Sequence, residues 1–224
     1  MKIRKVITRN LVFLLAVGSL HAAETTTLKA LPGSKIRIDG TANILHTHWA
    51  VQSPLMAGSL EVGPTFPTEP GQTVTPGKVD AKGECSVPVR SLKSVEDDGK
   101  PYSDGMDDVM YGKLKAQVNP KIIYRLTELT LKEGAKDKDS PYVFDSKGEV
   151  AVAGVTNPVA FAVNVLPVAG NKIKISGNIA LKMTDFKIQP PAPTIALGAI
   201  KTGDEVKISF EWILTPKTAS AAAK

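Results

Sequence analysis

Apolar and polar residues alternate along most of this chain, and the alternation is cleanest between residues 150 and 212. Three runs carry it. The first is Val159, Phe161, Val163 and Val165. The second is Ile173, Ile175, Ile179, Leu181 and Met183, with Gly177 holding the phase. The third is Val206, Ile208, Phe210 and Trp212. A period of two places each set on one face of a β-strand. The pattern recurs upstream. Ile36 and Ile38 alternate with Lys35, Arg37 and Asp39 over residues 34–41, a strand with one wet face. Residues 46–51 and 56–62 predict two more strands, interrupted at Pro54. Over residues 79–90, Val79, Ala81, Cys85, Val87 and Val89 oppose Asp80, Lys82, Glu84, Ser86 and Arg90. In residues 121–131, Ile122, Tyr124 and Leu126 share a phase that Leu129 and Leu131 reverse. A bulge is therefore expected near Thr127.

Breaks in the pattern divide these strands. Residues 64–78 hold Pro64, Pro67, Pro70 and Pro76, and proline cannot donate to a ladder. This is an extended loop, either a surface excursion or a rim over a cavity mouth. Met106, Val109, Met110 and Leu114 recur at helical spacing. They predict one short helix over residues 104–115, with Asp104 as its cap and Asn119-Pro120 beyond its end. Residues 133–149 are charged, contain Pro141 and Gly148, and read as a long hairpin end; residues 183–191 are irregular. Residues 24–32 read as a flexible lead-in, and the alanine-rich residues 215–224 as a disordered tail. The sum is an all-β domain over residues 33–214, with about eight antiparallel strands and one short helix. Periodicity leaves open whether the sheet closes as a barrel or folds as a sandwich.

Charge changes the picture at the N-terminus. Lys2, Arg4, Lys5 and Arg9 precede an apolar run of about ten residues, and Ala22-Ala23 follow. That order is a secretory signal peptide over residues 1–23, and the run is short of the roughly 20 residues of a membrane span. The whole chain has 28 basic and 22 acidic residues, net +6; without the four basic residues of the signal it has 24 against 22, net +2. The basic balance therefore belongs mostly to targeting and argues against a nucleic-acid partner. A soluble, secreted, periplasmic protein is expected. Cys85 does not follow the signal, so no lipid anchor is expected, and as the lone cysteine it allows no internal disulfide. Aromatic residues are 5% of the chain, so Ile, Val, Leu and Ala must fill most of any interior.

Motifs for chemistry are sparse. His46 and His48 would share one face of a strand, a start on a metal site that lacks an evident third ligand. No nucleophile elbow or glycine-rich phosphate loop is present, and no enzyme activity or cofactor is expected. Asp185 suits an Asx turn.

Short motifs in order carry a resemblance. They are Gly40-Thr41, the His–Trp segment ending at Trp49, Ser91-Leu92, Met106-Asp107, Leu114-Lys115, Asn119-Pro120-Lys121-Ile122 with Tyr124, Gly154-Val155-Thr156-Asn157-Pro158-Val159, Gly177, Met183-Thr184-Asp185-Phe186-Lys187-Ile188, and Gly203-Asp204 before Val206-Lys207-Ile208. Over residues 33–214 the chain resembles the YceI-like family of exported lipid- or polyisoprenoid-binding proteins. The Gly40-to-Trp49 spacing is looser than the family form and adds a histidine, and the proline-rich loop is long. The resemblance implies a lipocalin-like antiparallel barrel whose lumen takes an isoprenoid or other long-chain lipid, with no catalytic residue. Transient membrane contact for lipid exchange goes with that role, and an unpaired edge admits a homodimer. By parity, the lumen candidates are Ile36, Ile38, Val87, Val89, Ile122, Tyr124, Phe161, Val163, Ile173, Ile175, Val206, Ile208, Phe210 and Trp212. Tyr124 and Trp212 add polar groups suited to a head group. The alternatives are a structural or adhesive β-sandwich with a dry core, and a metal-binding protein using His46 and His48.

Overall fold

The alternating segments become twelve strands in a computed structural model that describes residues 25–43, 47–192 and 201–217. They are β1 (Thr26–Ala30), β2 (Lys35–Ala42), β3 (His48–Ser53), β4 (Ala57–Val62), β5 (Gly77–Val79), β6 (Ala81–Pro88), β7 (Lys93–Val95), β8 (Lys121–Glu133), β9 (Tyr142–Val152), β10 (Val155–Val168), β11 (Lys172–Lys182) and β12 (Thr202–Pro216). Helix α1 (Asp104–Lys113) lies between β7 and β8 in sequence. Each long strand pairs antiparallel with the next from β8 to β12. The other edge of β12 pairs first with β2 and then with β1, so the sheet closes on itself.

The first three arms of this meander are each broken in two. β1 and β2 run the same way beside β12, β4 and β3 run back beside them, and β6 and β7 pair with β4 and β3 in the same manner. Counted by arms, the ring has eight antiparallel members. One sheet wrapped into a ring replaces the two facing sheets of the sandwich alternative. Side chains repair the breaks. At the first, the Ser34 hydroxyl donates to the Leu31 carbonyl at 2.9 Å and accepts from the Ile213 N–H at 3.0 Å. At the second, Pro54 has no N–H to offer the ladder. At the third, a 3-10 turn at Val89–Ser91 ends β6.

Three expectations are corrected here. The lead-in expected at residues 24–32 contains β1, whose Leu28 is fully buried and whose pairing with β4 and β12 completes the ring. A five-residue strand with only Leu28 and Ala30 as inward apolar side chains is too short to show a period. The hairpin end expected at residues 133–149 contains most of β9, with Tyr142, Phe144, Ser146 and Gly148 facing inward. Serine and glycine at two of those positions hide the alternation. The tail expected over residues 215–224 is corrected at its start, where β12 continues to Pro216; residues 218–224 lie outside the described residues. The bulge near Thr127 is found: the β8–β9 register shifts between Leu126 and Glu128.

The two ends of the barrel differ. At one, Leu28, Val62, Leu131, Phe144, Val165, Ile173 and Leu214 are at most 1% exposed and form a solid floor. The proline-rich loop folds back over this end. Phe66 enters the core and stacks on Phe144 with ring centroids 5.8 Å apart, and the Tyr142 hydroxyl donates to the Gln72 carbonyl. The loop is therefore a plug.

At the other end β7 does not pair with β8, and α1 lies beside β7. Ser103, one residue before the expected Asp104, caps the helix by accepting from the Met106 N–H at 3.4 Å. Its buried side chains are Asp107 and Tyr111, while Met106 and Val109 of the expected apolar stripe are exposed. Polar bonds explain the rotation. Asp107 accepts from the Ser94 N–H at 2.7 Å and pairs with Lys93 at 2.9 Å, and the Tyr111 hydroxyl donates to the Leu92 carbonyl at 2.8 Å. Burial opposes the charge of Asp107, but the Ser94 N–H and Lys93 outweigh it and hold the carboxyl below its ordinary value.

Candidate functional site: an apolar cavity in the barrel

Above the floor the inward side chains no longer meet across the barrel, and a cavity of about 140 Å³ opens between them. Its wall is drawn from β2, β4, β6, β8, β9, β10, β11 and β12, together with Met56 at the second break. The lining near the floor, Val163, Val165 and Ile175, is buried. Val150, Ile179 and Leu181, close to the ends of their strands, are only half-buried, as is Ile208 opposite Ile179. The cavity thus faces the end that carries the β9–β10 turn and the β11–β12 connection. A 3-10 turn at Met183–Phe186 flanks this mouth, with Phe186 and Ile188 packed on Ala153. Asp204 secures the turn by accepting from the Thr184 hydroxyl at 2.6 Å and its N–H at 2.9 Å. Asp185 is exposed, and its backbone carbonyl accepts from Asn157.

An aromatic row crosses the wall. Tyr124 and Phe161 lie 5.5 Å apart and Phe161 and Phe210 lie 6.1 Å apart, on β8, β10 and β12. The intervening strands present Gly148 and Gly177. A Cβ at Gly148 would sit 2.6 Å from the Tyr124 ring, and one at Gly177 would sit 3.0 Å from Phe210. The missing side chains let rings from alternate strands approach across the strand between them.

Polar groups in the wall are few. The Tyr124 and Ser146 hydroxyls bond each other at 2.6 Å, and burial pushes the Tyr124 hydroxyl up despite that bond. The Glu84 carboxylate is held by Arg125 at 2.9 Å on exposed side chains. Burial, then the neighbouring Glu84 charge, pushes the Cys85 thiol up to about 12, so it stays protonated and unreactive at neutral pH. The Trp212 indole N–H is buried and has no acceptor among the described residues.

Ten of the fourteen parity candidates lie in the cavity wall: Ile36, Val87, Ile122, Tyr124, Phe161, Val163, Ile175, Ile208, Phe210 and Trp212. Four lie elsewhere. The 3-10 turn carries Val89 out of the strand pattern to pack with Tyr111 and Ala116. Ile173 belongs to the solid floor. Ile38 packs half-buried against the core beside the wall, and Val206 is buried near the start of β12. Parity names a face but not a depth along the barrel, so it cannot separate floor from wall. The wall also includes Met56, Leu60, Cys85, Leu126, Leu129, Ser146, Val150, Val165, Ile179 and Leu181. Leu126, Ile179 and Leu181 share the phase of named candidates and were within reach of the same reasoning.

The metal alternative finds little here. His46 lies outside the described residues, and His48 is exposed on the face opposite Trp49. Among the described residues no group of three or more His, Cys, Asp or Glu side chains is placed to hold a metal ion.

Known proteins share this architecture. The "polyisoprenoid binding domain from Saccharophagus degradans" aligns with 87% of this chain and all of its own length, at a TM-score of 0.60 and 10% identity. BcnA of Burkholderia cenocepacia aligns with 80% of this chain and 95% of its own, at 0.52 and 14%. At such identities the likeness is one of fold. No curated protein matches the sequence. A family model does, from within β2 to near the end of β12: residues 37–214 match the YceI-like domain, and the chain belongs to that family.

Proposed function

We propose that this protein is an exported, non-catalytic binding protein that holds a polyisoprenoid or other long-chain amphiphile in the barrel. The observation that carries this reading is the cavity itself: an apolar wall, closed at one end by packed side chains and half-open at the other. The polyisoprenoid binding named for the Saccharophagus degradans domain supports the ligand class. A lumen of about 140 Å³ is comparable to engineered apolar cavities of roughly 150 Å³ that take up benzene. It therefore admits a short stretch of chain, and a longer one must displace the half-buried rings of the aromatic row or leave its remainder in the mouth. Each buried methylene contributes about 0.8 kcal/mol, so the roughly six carbons of a benzene-sized occupant supply about 5 kcal/mol before ordering costs.

The basic, apolar, small order of residues 1–23 supports export, and the periplasm is the site of action in this reading. Val118, 82% exposed between the exposed Lys115 and Lys121 beside the start of β8, suits transient contact with an anionic lipid surface during exchange.

The deciding experiment is mass spectrometry of organic extracts from purified protein, with uptake of polyprenol and long-chain lipid probes measured alongside. A co-purifying lipid or saturable uptake is expected. An empty extract with no uptake removes the reading.

A further inference from the structure

We infer that a groove on the outside of the barrel, beside the mouth, docks the protein on an anionic bilayer. The groove takes the phosphate head group of a lipid, and Val118 enters the acyl boundary next to it. The inference names the site of the membrane contact proposed above and rests on that contact. It does not require an occupied lumen.

The groove has a volume of about 260 Å³ and joins two stretches far apart in sequence. Val118 and Asn119 precede β8, and Lys121 begins it; Gly154 lies in the β9–β10 turn, and Thr156 is near the start of β10. The groove lies back to back with the lumen. Ile122 and Val150 line the lumen, while their neighbours Ile123 and Ala151 line the groove. The Asn119 amide lies against Gly154. The Lys121 ammonium, the Asn119 amide and the Thr156 hydroxyl make no side-chain hydrogen bond or ion pair among the described residues, and no carboxylate lines the groove. Three unpaired donors, one of them cationic, suit a phosphate. Lysines on the barrel wall are mostly engaged instead: Lys35 and Lys174 pair with Glu211, Lys78 and Lys147 with Glu128, and Lys132 with Asp145.

Apolar exposure is concentrated at the same end. Val118 is 82% exposed, and with Tyr102, Met106 and Val109 it makes four of the five exposed large apolar side chains among the described residues. All four lie on α1 or within a few residues of its ends. One exposed valine alone means little. A cluster marks an interaction surface. Lys113 and Lys115, between Val109 and Val118 in sequence, also carry no ion pair among the described residues. Apolar side chains interleaved with unpaired lysines fit the interface of an anionic membrane. Docking there brings the mouth to the bilayer, where a long-chain amphiphile is collected or released.

The test is co-sedimentation with vesicles of phosphatidylglycerol and phosphatidylcholine in equal parts, against vesicles of phosphatidylcholine alone. Wild type is expected to favour the anionic vesicles. Lys121→Gln is expected to weaken that binding about fivefold. Thr156→Val keeps the charge and the exposed strand position, and is expected to weaken it about threefold to tenfold through the lost hydrogen bond. Val118→Ser is expected to lower binding to both vesicles about tenfold. Lys82→Gln removes an equally exposed lysine six residues along β6 from Pro88, the partner of Lys121. That is about 20 Å away, so its effect stays within about twofold. Without any variant, dihexanoyl phosphatidylglycerol shifts the amide resonances of Lys121 and Thr156, and dihexanoyl phosphatidylcholine moves them less. Full binding by Lys121→Gln or Thr156→Val, an equal loss from Lys82→Gln, or unmoved resonances at the groove overturns the inference. So does a wild type that ignores the anionic vesicles. Uptake of free lipid probes needs no vesicle and still decides the lumen reading in each of those cases.

Discussion

Replacing Phe66 by alanine tests whether the proline-rich loop closes the barrel. Phe66 is 1% exposed and stacks on Phe144 at an interplanar angle of 28°. Taking its ring out of the core loses about 2 kcal/mol of transfer free energy. The lost aromatic pair adds about 1 kcal/mol. Residual space on the order of 50 Å³, at about 24 cal/mol per Å³, adds roughly another 1 kcal/mol. The expected cost is about 4 kcal/mol, within the usual range for a buried phenylalanine. Urea unfolding is the assay. With a slope near 2 kcal/mol per M, the midpoint falls by about 2 M while the slope stays constant. Thr65→Ala, at the exposed neighbour, is the control and stays within about 0.5 kcal/mol. A Phe66→Ala midpoint within about 0.5 M of wild type would mean that the loop merely covers the end and that the floor stands without it.

Other perturbations probe the wall, the thiol and the helix. Gly148→Ala drives a Cβ against the Arg125 carbonyl and the Tyr124 ring, and a melting curve is expected to show a loss of 1–3 kcal/mol or more; an unchanged midpoint refutes the close approach. The Cys85 thiol is raised from its ordinary 9.0 to about 12, so its contribution is complete below pH 9.0 and is lost as pH rises toward 12. Relative to Cys85→Ala, wild type should lose about 2–3 kcal/mol between pH 8 and pH 11, and parallel pH profiles count against burial of the thiol. Asp107 is lowered from its ordinary 3.8, so its contribution is present above that pH and disappears as pH falls through the lowered value. Asp107→Ala leaves the buried Ser94 N–H unpaired and costs about 1–3 kcal/mol at pH 7; faster hydrogen exchange at Ser94 is the signature, and unaltered exchange contradicts the helix latch.

Where the sequence alternated strongly, the strands are where the pattern put them, because a half-buried strand must segregate its residues by parity. Ile36 and Ile38, the run from Val159 to Val165, and the run from Val206 to Trp212 all lie on inward faces. The reversal of phase between Leu126 and Leu129 appears as a bulge for the same reason. Legibility failed where an inward position holds no apolar side chain. β9 was hidden because Ser146 serves the Tyr124 hydroxyl and Gly148 makes room for the Tyr124 ring. Both requirements arise on β8, and no window along β9 contains them.

The sequence by itself determined the all-β class, the faces of most strands, the breaks at proline and, through ordered motifs, the family. Those features are local, or they survive as spacing along the chain. Only the tertiary structure decided that the sheet closes on itself through β1, that Phe66 seals one end, and which inward residues form floor and which form wall. Depth within a barrel depends on the register of strands far apart in sequence, and a period of two is the same at every depth.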